Sequence, residues 1–250
     1  GPPGLTIKDI AREAGVSTAT VSRALNRPEK VSRATREMIE GITKRHHFVS
    51  HGLATGLASQ RSGLLGLVIP TLSNSIYSQS THAIQDVAQA AGFTVLVGVS
   101  DFSQSIEERL IHRFIEHRVE GLVLTGTDRD PEIYDKIVHN GLTYVLTWRL
   151  DAQRRHPSVS FDNAKAAVTA VEHLIALGHR RIGFVCGHTK LNDRALERRQ
   201  AFESTMRRHA LEPGPELMFE RAFEYIEGNA AMRQIMEHAN PPTAVFCAND

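Results

Sequence analysis

Apolar positions along the chain follow two different rhythms. Over the first part they recur at helical spacing: Ile7, Ile10, Ala11 and Ala14, then Val21 and Leu25, then Ile39 and Ile42. Thr6 followed three residues later by Asp9 has the form of a capping box, and a helix from there is expected to run to about Ala14. Gly15 tolerates positive φ where that helix ends, and Ser17 can cap a second helix after a very short turn. Two short helices joined this tightly predict a helix-turn-helix. Val21 and Leu25, with Val16 entering the helix, face the first helix, while Thr18, Ala19, Ser22 and Arg23 form a small, polar and cationic opposite side. Val31 and Ser32 open a third helix by staple and cap.

From residue 64 the rhythm changes to short apolar runs separated by amphipathic stretches, which predicts βαβ units and a parallel sheet. Strands are expected at 64–69, 94–99, 121–124 and 143–146, with helices near 76–91, 104–117 and 131–140. A second series has strands near Val159 and at 181–185, 217–219 and 244–247, with helices near 164–177, 196–209 and 226–239. The fold class is therefore α/β: an N-terminal all-α helix-turn-helix head and a bilobed, doubly wound parallel-sheet body. The expected domains are a head at 1–46, a linker at 47–62 and a body at 63–250, whose lobes (63–150 and 157–250) flank a polar break. Ligands of open sheets bind beyond the carboxyl ends of strands, so the cleft between the lobes is the expected binding site.

Composition changes little in this picture. With 41% hydrophobic and 23% charged residues the chain is neither a fibre nor a tail, and its apolar runs are far too short for a membrane span. The expected location is the cytoplasm, with no membrane partner. Cys186 and Cys247 sit in strand-like runs without a CxxC pair, so two buried thiols and no disulfide are expected. Charge changes more. Ten Lys and Arg against five acids give residues 1–62 a net +5, which leaves −4 for the rest of a chain whose total is +1. A basic head on an acidic body suits a nucleic-acid module joined to another function. A helix whose first turn offers small hydrogen-bonding side chains can enter the major groove closely, with Arg23 reaching a guanine edge.

The string from Thr6 to Asn26, TIKDIAREAGVSTATVSRALN, closely resembles the DNA-binding signature of the lactose-repressor (LacI-type) family of bacterial transcriptional regulators. By position, the resemblance implies that Thr18, Ala19 and Arg23 read bases. It implies that Ser17, Thr20, Ser22 and Asn26 contact phosphates, together with Ser32 and Thr35 at the next helix start. Ala19 has no hydrogen-bonding atom, so it can only touch a thymine methyl or leave room. Family members follow the third helix with a Gly-Tyr, a Pro-Asn and a hinge helix that orders on DNA and wedges a leucine into the minor groove. Here Phe48 can replace the aromatic, Ser50 and His51 stand in place of Pro-Asn, and Leu57 falls at the wedge position. Gly52 and Gly56 each cost a helix roughly 0.5–1 kcal/mol relative to alanine, so no hinge helix is expected without DNA. Leu57 either kinks the duplex as a wedge or packs on the body.

The body is similar to the family's effector domain, which is related to periplasmic sugar-binding proteins. The similarity is clearest in HLIALGHRRIG (173–183), in Asp162-Asn163 and in PTAVFCAND (242–250). By position it implies that Arg198 clamps the effector, that Asp250 accepts hydroxyl hydrogen bonds, and that Phe223 stacks on the ligand. Asn74, Tyr77 and Thr125 follow strand ends and complete the expected site. An arginine fork, a carboxylate and aromatic faces suit a sugar or sugar acid. In the family the sheet continues past the Asn-Asp that closes this chain, so the second lobe is expected to be short of strands.

The function implied is a repressor that binds a near-palindromic double-stranded operator under control of a small-molecule effector. It would act as a homodimer or dimer of dimers, without metal, cofactor or catalysis. No GxxxxGK[ST], GxGxxG, GxSxG or HExxH occurs, and His47 with His51 has no third ligand at recognisable spacing. The alternative is a sugar-binding protein whose head is a helical interaction module rather than a DNA reader, which duplex binding would discriminate. A sugar-processing enzyme with a regulatory head comes third, and turnover of a bound sugar would reveal it.

Overall fold

The computed structural model describes residues 5–48, 61–151 and 153–249, and only the backbone of Asn26. The chain divides into two compact units, Gly1–Ser62 and Gly63–Asp250.

The first unit contains α1 (Ile7–Ala14), α2 (Thr18–Asn26) and α3 (Arg33–Arg45). The capping box is complete, with the Thr6 amide donating to the Asp9 carboxylate at 3.0 Å and the Thr6 hydroxyl accepting from the Asp9 amide. Gly15 closes α1 in the left-handed region at φ 63°, which a glycine adopts without steric cost. Ile10, Val21 and Ile39, one from each helix, are fully buried and form the centre of the core. Val16, Leu25, Val31 and Phe48 pack around them, so Phe48 belongs to the head's own core. Glu13 ties α1 to the end of α3 through His46 Nε2 at 2.8 Å and Arg45 at 3.4 Å.

In the second unit β1 (Leu64–Ile69), β2 (Thr94–Val99), β3 (Gly121–Thr125), β4 (Thr143–Thr147) and β5 (Ser158–Val159) form a sheet of order β2-β1-β3-β4-β5. Every pairing is parallel. Its helices are α4 (Ser75–Ala90), α5 (Gln104–Glu116) and α6 (Pro131–His139). Leu122, Leu124 and Leu146 of the central strands meet Ile111, Phe114 and Ile137 of α5 and α6 in this lobe's core. The second lobe has β6 (Ile182–Gly187), β7 (Met218–Arg221) and β8 (Ala244–Cys247) in the parallel order β7-β6-β8. It also has α7 (Asn163–Ala176), α8 (Asp193–Arg208) and α9 (Tyr225–Met236). Phe184 of β6 stacks on Phe202 of α8 at 4.8 Å, flanked by Val171 and Met206.

Four expectations need correction. The strand at Val159, expected to open the second series, instead pairs with β4 at the edge of the first lobe's sheet. α8 begins three residues before the expected 196, because Asn192 is its cap and accepts from the Ala195 amide at 3.3 Å. α9 ends at Met236, three residues short of the expected 239, ahead of the Pro241-Pro242 pair that cannot continue a helix. Both cysteines are free, but only Cys186 is buried. Cys247 is exposed, since it ends β8, which pairs with β6 alone among the described strands. Among the described residues no helix is long and apolar enough to cross a membrane.

Candidate functional site

The helix-turn-helix presents its second helix with the side chains that the pattern assigned to the outside. Ser17, Thr18, Ala19 and Arg23 are exposed, and Arg23 has no ion-pair partner among the described residues. Thr20 and Ser22 are half-buried at the flanks. The Ser17 hydroxyl accepts from the Thr20 amide at 3.1 Å and bonds its hydroxyl at 2.9 Å. Ser32 repeats this on Thr35 at 3.3 and 2.8 Å. Both serines are thus helix caps first, and a phosphate would meet the helix ends they organise. No acid occupies the first turn of α2 or α3, whereas α1 carries Asp9 there. The positive ends of α2 and α3 are therefore open to an anion. The Asn26 side chain and Leu57, with Gly52 and Gly56, lie outside the described residues.

In the second unit a cavity of about 270 Å³ opens between the lobes. Asn74, Tyr77, Arg198 and Phe223 all line it, so four of the six expected effector residues come together. Asn74 reaches it as the cap of α4, accepting from the Ile76 amide at 2.9 Å, and Tyr77 follows one turn later. Arg198 projects from α8, and Phe223 follows β7. Thr125 does not join them. Its hydroxyl donates to the Val68 carbonyl at 3.1 Å across the sheet, and it lines a separate small cavity of about 30 Å³. Asp250 lies outside the described residues.

Among the further residues that line the cleft, sequence reasoning missed Trp148, Asn163 and Arg194. Trp148 follows β4, where the strand-end rule that selected Asn74 would also have selected it, and it is the chain's single tryptophan. Its ring meets Tyr77 edge-on at 5.7 Å and Phe161 at 6.5 Å. Arg194 lies in the first turn of α8, ahead of the expected helix start at 196.

The electrostatics of the cleft rest on two arginines and one buried aspartate. Arg198 donates from Nη1 to Asn163 Oδ1 at 2.6 Å and has no carboxylate partner among the described residues. Burial, and then the charge of Arg194, pull its pKa down from the ordinary arginine value. Arg194 Nη1 pairs with Asp193 Oδ1 at 2.6 Å. The Asp193 carboxylate, with 4% of its side chain exposed, also reaches the other lobe. It accepts from the Thr127 amide at 2.6 Å, the Thr127 hydroxyl at 2.9 Å, the Asp128 amide at 3.1 Å and Arg149 Nη1 at 3.1 Å. Arg149 Nε adds a bond to Glu197 at 2.9 Å. Gly126 makes this approach possible, because a Cβ there would collide with Arg194 Nη1 and Asp193. Burial pushes the Asp193 pKa up, but Arg194, the Thr127 amide and Arg149 outweigh it and hold the group below its ordinary value. Among the described residues no group of three or more His, Cys, Asp or Glu could hold a metal ion.

Comparison with known proteins adds to this geometry. Residues 6–50 match the family described as bacterial regulatory proteins, lacI family. Residues 62–250 match the periplasmic binding proteins and sugar binding domain of LacI family. The HTH-type transcriptional repressor CytR of Escherichia coli (strain K12) is 30% identical over 98% of this chain and 72% of its own length. Catabolite control protein A of Priestia megaterium is 28% identical over 98% of this chain and 74% of its own. The crystal structure of the lac repressor dimer bound to operator and the anti-inducer ONPF matches with a TM-score of 0.79 at 26% identity. That match covers 99% of this chain and 74% of the other.

Proposed function

Since this chain belongs to the LacI family of bacterial regulatory proteins, we propose that it is a sequence-specific repressor whose operator affinity is set by a small molecule held between the lobes. The observation that carries this reading is the combination, in one chain, of an outward helix with an exposed arginine, Arg23, and a cleft containing a second arginine, Arg198. On this reading Thr18, Ala19 and Arg23 meet base edges, and Ser17, Thr20, Ser22, Asn26, Ser32 and Thr35 lie along the phosphates. Leu57 acts as the minor-groove wedge. The effector is a sugar or sugar acid: Arg198 offers it donors, Phe223 and Trp148 offer ring faces, and Asn74 and Tyr77 close the wall. Asp250 supplies an acceptor for its hydroxyls. The protein works in the cytoplasm as a homodimer or dimer of dimers on a near-palindromic site, and it catalyses no reaction. The curated relatives named above are regulators, and the lac repressor structure is of a dimer on its operator.

Two expected results test these roles. Operator affinity should fall steeply with salt, with a log–log slope near −0.9 for each phosphate neutralised. Arg23→Ala should cost about 1–3 kcal/mol on operator and remove the preference at one base pair per half-site, whereas an equal loss on random duplex would make Arg23 a phosphate contact. For the cleft, a thermal-shift screen of sugars and sugar acids should find a ligand that raises the melting temperature, and Arg198→Ala should abolish that rise. The same ligand must then change operator affinity by the factor by which operator changes its own. Titrations that superimpose with and without operator would contradict control by the cleft.

A further inference from the structure

We infer that Asn163 is a positioning residue that couples Arg198 to the turn at Trp148, so that what happens at the arginine is felt at the end of β4 in the first lobe. The inference rests on the reading of the cleft as the effector site, but its geometry stands apart from any effector. Asn163 is the first residue of α7, where the chain enters the second lobe, and it is 1% exposed. Both ends of its amide are committed. Nδ2 donates to the Trp148 carbonyl at 2.8 Å, and Oδ1 accepts from Arg198 Nη1 at 2.6 Å.

The assignment of the two amide atoms follows from their partners. A guanidinium can only donate and a carbonyl can only accept, so the amide has one orientation that satisfies both. It therefore behaves as a rigid link: turning it to follow Arg198 withdraws it from Trp148. Each end is also a place where the link matters. Trp148 holds φ at 70°, in the left-handed region that costs a bulky residue energy and persists only where surrounding contacts enforce it. Arg198 Nε is buried with no hydrogen-bond partner among the described residues, so the bond to Asn163 is what orients the guanidinium there. Trp148, Asn163 and Arg198 all line the same cavity.

Because Trp148 is the only tryptophan, the intact chain carries its own reporter at one end of the link. Its fluorescence and acrylamide quenching are read on the ligand-free protein, so a failure to find an effector does not affect the outcome. Asn163→Asp keeps an acceptor for Arg198 but faces the Trp148 carbonyl with a group that cannot donate. It should red-shift the emission and raise the quenching constant by roughly twofold or more. Arg198→Ala should move both readouts in the same direction, and the double variant should move them no further than Asn163→Asp alone, the non-additivity expected of one connected unit. Arg198→Lys, which still donates, should stay close to the wild-type signal. The Arg198→Ala and Arg198→Lys pair decides the matter even if Asn163→Asp does not fold. A Trp148 signal that ignores Arg198→Ala, changes that simply add in the double variant, or a lysine variant that shifts as far as alanine would each overturn the coupling.

Discussion

Replacing Asp193 by alanine is expected to lower the melting temperature of the effector domain by about 6–20 °C and to open its lobes. The carboxylate is nearly inaccessible and accepts from two amides, a hydroxyl and Arg149 of the other lobe as well as from Arg194. Removing it leaves the Arg194 guanidinium buried without its partner, a change that costs about 3–5 kcal/mol in comparable pairs. At roughly 2–4 °C per kcal/mol for a unit of this size, that gives the stated range. Thermal unfolding of the full chain measures the first effect and its radius of gyration in solution the second. A variant that melts within about 2 °C of wild type with an unchanged radius would show that the lobes are held by other contacts. The same group sets an acid limb. Its pKa is depressed in the folded state, so its stabilisation is fully present above the unfolded value near pH 4 and is lost as pH falls through the lower folded value. Asp193→Asn should flatten that limb.

Ile39→Ala is expected to lower the melting temperature of the head and to weaken operator binding as that lowered transition is approached, while leaving the melting of the effector domain unchanged. Ile39 is fully buried at the junction of the three head helices, and truncating such a residue costs about 2–5 kcal/mol. A folded unit of this length has only ~3–9 kcal/mol in total, at the usual stability per residue. Operator affinity would fall by the fraction of heads still folded. Operator binding that persists unchanged up to the wild-type melting temperature of the head would contradict this role of Ile39.

The sequence revealed the head almost completely, because each of its signals acts over a few residues. The Thr6 and Asp9 pair, Gly15 and Ser17 mark boundaries that need no distant partner, and Val21 and Ile39 follow from periodicity alone. In the body the strands were legible because buried parallel strands read as apolar runs. The cleft was legible only in part. Asn74, Tyr77, Arg198 and Phe223 line one cavity. Thr125 does not join them, because a hydroxyl at a strand end has a neighbouring carbonyl within reach and bonds Val68 instead. The contacts of Asp193 with Thr127 and Arg149 join residues far apart in the chain, and nothing in local spacing announces such a meeting. Asn163 stood in a motif that was recognised, yet its double hydrogen bond depends on the tertiary placement of Trp148 and Arg198.

If the chain reads DNA sequence through α2, the intact protein should choose among duplexes by sequence. Selection of bound duplexes from a random library by the intact protein tests it most directly. Enrichment of one near-palindromic motif of two half-sites is expected, with a guanine preference in each half-site that disappears in Arg23→Ala. Recovery of duplexes with no shared motif, at an affinity set by salt alone, would contradict it.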